Sequence, residues 1–227
     1  MNAETSNDTS VLEAEVRETV EQGNNVQEKV RQLTLRVISA RSLDIESVRQ
    51  TAGAVLRGAQ AGVQKELQHS SAQTHIAREH LKQAVTGLDI ALAQFAEAAK
   101  LAVEEAAGRA QKYSSDDLKR ARSDLASLET MFVETLRSSA SAAKGAAGEI
   151  LYDLAAHVRI YGSAVGRQLK ETLTVFAHHI GAAGRAQVGV GLHLAKNTSD
   201  LVRQIAAGVL TGLAEHVQPG HSKDKGE

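Results

Sequence analysis

The sequence contains no cysteine and no tryptophan, and its single proline, Pro219, stands close to the C-terminus. The lack of cysteine excludes disulfides and thiolate metal ligands. Because proline ends or kinks helices, a chain without it before residue 219 can sustain very long helices. Aromatic residues make up only 3% of the chain. Since aromatic side chains bury the most area, their scarcity favours thin seams between helices over a thick core.

A strong charge of one sign and a long apolar run are also missing. The formal net charge is −1, so a general nucleic-acid-binding surface is not expected. The first ten residues lack the basic and apolar regions of a secretory signal. No uncharged run reaches the roughly 18 apolar residues of an ordinary transmembrane helix. We therefore expect a cytoplasmic protein, with peripheral attachment to a membrane or granule surface as the alternative location.

Apolar residues after residue 44 follow helical spacing and predict a first long helix over about 44–111. Asp44 is a suitable N-cap residue. From Leu81 onward the apolar positions recur at intervals of four and three through Leu88 and Phe95, which is a heptad seam. The polar stretch 68–75 interrupts this helix. It predicts a hinge, a kink or a place where another chain or the terminal helices pack.

Residues 115–183 carry the most regular pattern, an apolar repeat of eleven residues, and predict a second long helix. Eleven residues in three turns correspond to about 3.67 residues per turn, so the apolar face barely drifts around the helix axis. An unbroken helix of this length would measure roughly 100 Å. One of the rows places Tyr161 in line with Leu128 and Ile150. The predicted apolar face consists of Phe132, Leu136, Leu154, Val158, Val165, Leu169, Phe176 and Ile180.

A short connection near Lys112 joins the two long helices, which predicts an antiparallel hairpin. A turn centred on Lys112 places Gly58 opposite Gly166 and Gly62 opposite Gly162. The Gly-x-x-x-Gly spacing of each pair allows two helix backbones to approach closely. We therefore predict a close helix crossing at these four glycines.

The predicted fold is an all-α, elongated antiparallel hairpin with shorter N- and C-terminal helices packed near its base. Residues 1–43 form short helices, 44–197 form the hairpin and a following weak helix, 198–218 form a C-terminal helix, and 219–227 form a disordered tail. Segment 201–217 matches segment 47–63 at eight of 17 ungapped positions. A true internal repeat and a chance likeness between Ala/Val/Leu-rich helices both stay open. Gly208 and Gly212 in the second segment are candidate interface residues.

Motifs that would support catalysis or metal binding are not found. His75 and His80 lie five residues apart and therefore point to different sides of a helix, and the adjacent His178 and His179 also diverge. His69 and His157 could meet across the hairpin, but two ligands do not make a zinc site. The glycine-rich segments match neither a nucleophile elbow nor a dinucleotide-binding loop. We expect no enzyme, no catalytic residue, no metal, no cofactor and no small-molecule substrate.

The long proline-poor helices with an eleven-residue period resemble those of phasins, which coat polyester storage granules, and those of exchangeable apolipoproteins. The resemblance covers residues 44–183 at the level of pattern, and it implies binding to a lipid or granule surface. Residues 30–63 are also similar to an uncharacterised bacterial family of unknown function, which implies no mechanism.

The function expected from these patterns is that of a non-catalytic, self-associating helical scaffold, a homo-oligomer that also binds lipid or polyester-granule surfaces. A protein–protein adaptor is one alternative. The other is a membrane-inserting, pore-forming type of protein.

Overall fold

The computed structural model describes residues 2–40, 45–67, 71–108, 115–143 and 145–186. These residues form helices and no strand, so the all-α prediction is confirmed. The weak helix expected after α7, the C-terminal helix 198–218, Gly208, Gly212 and the tail 219–227 lie outside the described residues. The helices are α1 (Asn2–Gln22), α2 (Val26–Ala40), α3 (Ile45–Leu67), α4 (Ser71–Gly108), α5 (Ser115–Ala142), α6 (Ala146–Tyr161) and α7 (Ala164–Ala186).

The two predicted long helices are divided into five shorter ones. The first becomes α3 and α4, on either side of residues 68–70. The second becomes α5, α6 and α7, so the prediction of one continuous helix over 115–183 is wrong. Gly145 and Gly162 stand at its two breaks with φ angles of 63° and 80°. Only glycine adopts this left-handed region without steric cost, so the chain can leave the helix at both positions.

The first four helices form two hairpins that lie side by side. The first hairpin joins α1 and α2, and an ion pair between Arg36 and Glu15 connects its two helices. The second hairpin joins α3 and α4, which pack on each other. Helix α1 runs parallel to α3, where Arg57 contacts Glu13 at 2.8 Å. Because α2 packs along α4 in the same way, the N-terminal helices form part of the bundle itself.

The last three helices pack on one another and on α3 and α4, in an order that differs from the predicted hairpin. Helix α4 packs mainly on α7 and α2, whereas α5 packs on α6 and α7. Helices α4 and α7 are parallel, because Ala164 lies beside Asp89 and Thr172 lies beside Ala96. Helix α6 folds back along α5, where the hydroxyls of Ser141 and Tyr152 lie 2.6 Å apart.

Most of the described members of the eleven-residue rows face the inside of this bundle, whereas Tyr161 is exposed. Phe132 and Leu136 of α5 and Val165, Leu169 and Phe176 of α7 are buried. The remaining members of the predicted apolar face pack against the same core while partly exposed; they are Leu154, Val158 and Ile180. Within the part of the chain that the structure describes, no helix is long and apolar enough to cross a membrane.

Gly58 and Gly62 do lie at a close helix crossing, but the second helix is α1. A methyl group on Gly58 would overlap the carbonyl oxygen of Glu13, and one on Gly62 would lie 2.6 Å from Cβ of Val20. Gly166 lies instead against Glu129, and Gly162 has no atom near its missing side chain. The two glycine pairs therefore do not face each other, because parallel packing of α4 on α7 replaces the predicted hairpin register.

Candidate interaction surface at the junction of α6 and α7

The junction of α6 and α7 is a two-residue break, Gly162 and Ser163, inside the sequence "GSAVG". The backbone N–H of Gly162 donates to the carbonyl of Val158 at 2.8 Å and closes the last turn of α6. The hydroxyl of Ser163 then accepts the backbone N–H of Gly166 at 2.9 Å. Serine is a favourable N-cap residue because it pairs an amide that has no partner within the helix. The motif therefore ends one helix and starts the next.

Asp89 of α4 provides a second cap for the start of α7. Its carboxylate oxygens accept the backbone N–H groups of Ala164 at 2.7 Å and of Val165 at 3.0 Å. A negative charge is also favourable at this end of a helix, where the helix dipole is positive. Asp89 thus attaches the first turn of α7 directly to the middle of α4.

Glu129 of α5 joins the same junction from the other side. The buried hydroxyl of Ser163 donates to Oε1 of Glu129 at 2.7 Å. A methyl group on Gly166 would overlap the carboxylate of Glu129. The glycine at this position therefore leaves the space that the glutamate occupies, and three helices meet at one polar network.

Burial raises the pKa of Asp89 above its usual value. The amides of Val165 and Ala164 and the charge of Arg167 act in the opposite direction, while the charge of Glu129 adds to the increase. A raised pKa means that the folded chain binds a proton at Asp89 more tightly than the unfolded chain does.

We expect Asp89 to give the folded state a pH dependence that an Asp89→Asn variant lacks. Proton binding at Asp89 adds to the free energy of unfolding. This stabilisation is fully present below the unfolded pKa of 3.8 and is lost as the pH rises through the higher folded pKa. The free energy of unfolding of the wild type, minus that of the variant, should therefore fall as the pH rises from about 4 to 7. Urea titrations at several pH values measure this difference. A constant or rising difference would contradict the prediction.

An exposed apolar surface lies on α6, directly before this junction. Helix α6 buries Ala147, Ile150, Leu151 and Ala155 against the bundle, so its opposite side faces solvent. That side carries Tyr152, Ala156 and Ile160, one turn apart, with the exposed charged residues Glu149, Asp153 and Arg159 among them. Tyr161 is the last residue of α6 and lies about 100° around the helix axis from Ile160, on the opposite side from Tyr152. Tyr152, Ile160 and Tyr161 are 49%, 67% and 71% exposed. We call Tyr152, Ala156, Ile160 and Tyr161 the α6 face.

Large exposed apolar side chains are grouped on the α6 face, whereas on the other described helices they are isolated. The other large apolar residues that are exposed among the described ones are Val11 on α1 and Ile76 and Leu101 on α4. Isolated apolar residues are common on protein surfaces, whereas a cluster of them on one helix indicates an interaction site. Tyr161 also contacts His157, with ring centroids 4.5 Å apart. The eleven-residue row predicts an interior position for Tyr161, whereas the structure places its side chain at the surface.

The histidines are not gathered into a metal site by the described helices. No group of three or more His, Cys, Asp or Glu side chains that could hold a metal ion occurs among the described residues. The rings of His178 and His179 meet edge to face at 5.5 Å, and His157 lies beside Tyr161 instead of a second histidine. His69 lies outside the described residues.

The protein is an all-α bundle. A buried polar junction at the start of α7 fixes the end of α6, and α6 carries exposed aromatic side chains. The chain belongs to a family described as a family of unknown function (DUF6781), whose model matches residues 2–219. No curated protein and no solved structure matches it. The expected similarity to a family of unknown function is confirmed, and the resemblance to phasins stays a prediction.

Proposed function

We propose that this chain is a non-catalytic helical scaffold that binds protein partners, first of all copies of itself, through the α6 face. The exposed Tyr152, Ile160 and Tyr161 carry this proposal. Tyrosine is enriched in protein interfaces because it offers a large contact area with few rotatable bonds and a polar group at its end. The three phenylalanines of the chain are all buried, and the exposed tyrosines among the described residues, Tyr152 and Tyr161, both belong to this helix.

The polar junction supports the proposal because it holds the α6 face in position before any partner arrives. Ser163 and Asp89 cap the start of α7 at the end of the exposed helix, and Glu129 connects it to α5. A surface that is already ordered loses little conformational entropy on binding, which improves affinity.

We expect the double variant Ile160→Ser/Tyr161→Ser to weaken self-association by about tenfold or more, because it removes the two most exposed apolar side chains of the face. Sedimentation velocity over a range of protein concentrations measures the association constant. Ile76→Ser is the matched control, since it changes a single exposed apolar residue on α4. A wild-type chain that stays monomeric at all concentrations, or equal effects of the two variants, would refute the proposal.

A second candidate function is binding to a lipid or polyester surface, and the eleven-residue rows favour it. Apart from the exposed Tyr161, their described members are buried or partly buried in the bundle, so the bundle would have to open to present them to lipid. Such binding would be an exchange of helix–helix contacts for helix–lipid contacts. Flotation of the protein with phosphatidylcholine vesicles, together with loss of its cooperative thermal transition, would favour this candidate. Protein that stays at the bottom of the gradient would exclude it.

A further inference from the structure

Charged side chains of opposite sign flank the apolar line of α6. Tyr152, Ala156 and Ile160 are spaced by one turn and form a line along the exposed side of the helix. Asp153 lies three residues before Ala156 and Arg159 three residues after it, and both are exposed. At about 100° per residue, these two positions fall on opposite sides of the line, each about 60° around the helix from Ala156. An acidic flank and a basic flank therefore border the same apolar line.

Arg159 makes no ion pair with any other residue in the described part of the chain. Asp153 contacts Arg78 of α4 at 3.2 Å, and its side chain is still 64% exposed. Because each carboxylate oxygen accepts more than one donor, Asp153 can take a second partner. Arginine is enriched in protein interfaces and suits carboxylates in geometry. Asp153 and Arg159 of one chain lie on opposite flanks, so pairing between them requires a second copy.

A two-fold axis along the apolar line brings the opposite charges together. Such an axis interchanges the two flanks, so Asp153 of each copy meets Arg159 of the other and two equivalent ion pairs form. Tyr152, Ala156 and Ile160 lie on the axis, and each meets its own copy. The line follows an i, i+4 ridge inclined by about 26° to the helix axis, so the two α6 helices cross at about 50°, the commonest angle of packed helices. The small side chain of Ala156 stands at the crossing and permits a close approach.

We infer that two copies of the chain pair through α6 about this two-fold axis, with Asp153 and Arg159 as the residues that select a second copy as the partner. The inference rests on the proposed function, which assigns self-association to the α6 face, and it adds the geometry and the selecting charges. Like charges placed opposite each other are strongly unfavourable in an interface. A partner without the complementary flanks is therefore disfavoured relative to a second copy.

Charge reversal in separate chains tests this pairing. Asp153→Arg places arginine opposite arginine in its own dimer, and Arg159→Asp places aspartate opposite aspartate. Each variant alone should therefore self-associate at least about tenfold more weakly than the wild type. An equimolar mixture of the two variants has opposite charges at both contacts, and so has the double variant Asp153→Arg/Arg159→Asp. Both should associate within about threefold of the wild-type constant. Sedimentation velocity over a range of protein concentrations measures these constants.

Asp124→Arg and Arg122→Asp are the matched controls, since they make the same changes of charge at exposed positions of α5. Asp124 lies about 25 Å along α5 from Ser141, the residue that contacts Tyr152. Alone or mixed, the controls should leave the association constant within about threefold of the wild-type value.

The outcomes separate the inference from the proposed function. Weak association of each single variant, with recovery in the mixture, supports the inference. If the wild type associates while its charge variants behave like the controls, or if the mixture does not recover, the two-fold pairing is overturned and self-association stands. A wild type that stays monomeric at all concentrations refutes both.

The position of the axis has a test of its own. The sequence has no cysteine, so an introduced thiol has only its own copy as a disulfide partner. Because Ala156 meets its own copy at the axis, Ala156→Cys should form a disulfide between two chains at least about tenfold faster than Ala126→Cys, an exposed residue of α5. Non-reducing electrophoresis of oxidised samples measures the two rates. Equal rates would overturn the inference.

Discussion

Gly58→Ala should lower the free energy of unfolding by about 2–3 kcal/mol. The added methyl group would overlap the carbonyl oxygen of Glu13 and lie 3.0 Å from Cβ of Val16. Both atoms are fixed within α1, so α1 and α3 would have to move apart along their contact. Alanine favours the helix over glycine by up to about 1 kcal/mol, and the clash has to exceed this gain. Urea unfolding followed by circular dichroism measures the result.

Gly181→Ala provides the matched control for this prediction. Gly181 is also in a helix, α7, but no atom lies within 4 Å of the position that its Cβ would occupy. The same substitution should therefore raise the free energy of unfolding, by up to about 1 kcal/mol. Opposite signs at residues 58 and 181 would show that the close approach of α1 requires glycine. A gain in stability at both positions would mean that the two helices are not in close contact at Gly58.

A second crossing of the same kind connects the other two helices of the double hairpin. A methyl group on Gly87 of α4 would overlap the carbonyl oxygen of Gln27 in α2. Beside it, the buried Arg31 donates to Gln94 at 2.7 Å and to Glu28. The α1–α3 and α2–α4 contacts therefore both depend on a glycine at the crossing.

The helical content could be predicted from the sequence, but the order in which the helices pack could not. Spacings of three and four identify one side of a helix without identifying its partner, and Ala/Leu-rich seams match equally well when shifted by a turn. The rows of eleven also continue through Gly145 and Gly162, because neither the reversal of the chain at Gly145 nor the break at Gly162 changes which residues are apolar. The left-handed φ angles at these glycines could be recognised only in the structure.

The polar junction left no local signal in the sequence. Asp89 is 75 residues away from Ala164, and Glu129 is 34 residues away from Ser163. In a helical sequence, a single acidic residue among apolar ones is normally a solvated side chain. From the sequence alone, the two glycines of "GSAVG" predict a close helix crossing. The actual roles of this motif are a break, a serine cap and the space for Glu129, and they depend on neighbours that only the tertiary fold supplies.

Asp89→Ala should lower the free energy of unfolding by about 2 kcal/mol at neutral pH. The substitution leaves the N–H groups of Ala164 and Val165 without their acceptor. An unpaired polar group in a buried place costs about 1–3 kcal/mol. The substitution also removes the cost of burying the carboxylate of Asp89, the same burial that raises its pKa. This gain offsets part of the loss. Asp124→Ala, at an exposed position of α5, is the control and should change stability by less than about 0.5 kcal/mol.

The location of accelerated amide exchange distinguishes the loss of a helix cap from destabilisation of the whole fold. In Asp89→Ala, amide exchange should accelerate first at the start of α7, while α1 and α3 keep their protection. Ser163 caps the same turn, so Asp89→Ala/Ser163→Ala should destabilise by a different amount than the sum of the single effects. A coupling of more than about 0.5 kcal/mol is expected for groups that share one network. Additive effects, or uniform acceleration of exchange in all helices, would show that Asp89 contributes packing alone. It would then not attach α4 to α7 through the amides of Ala164 and Val165.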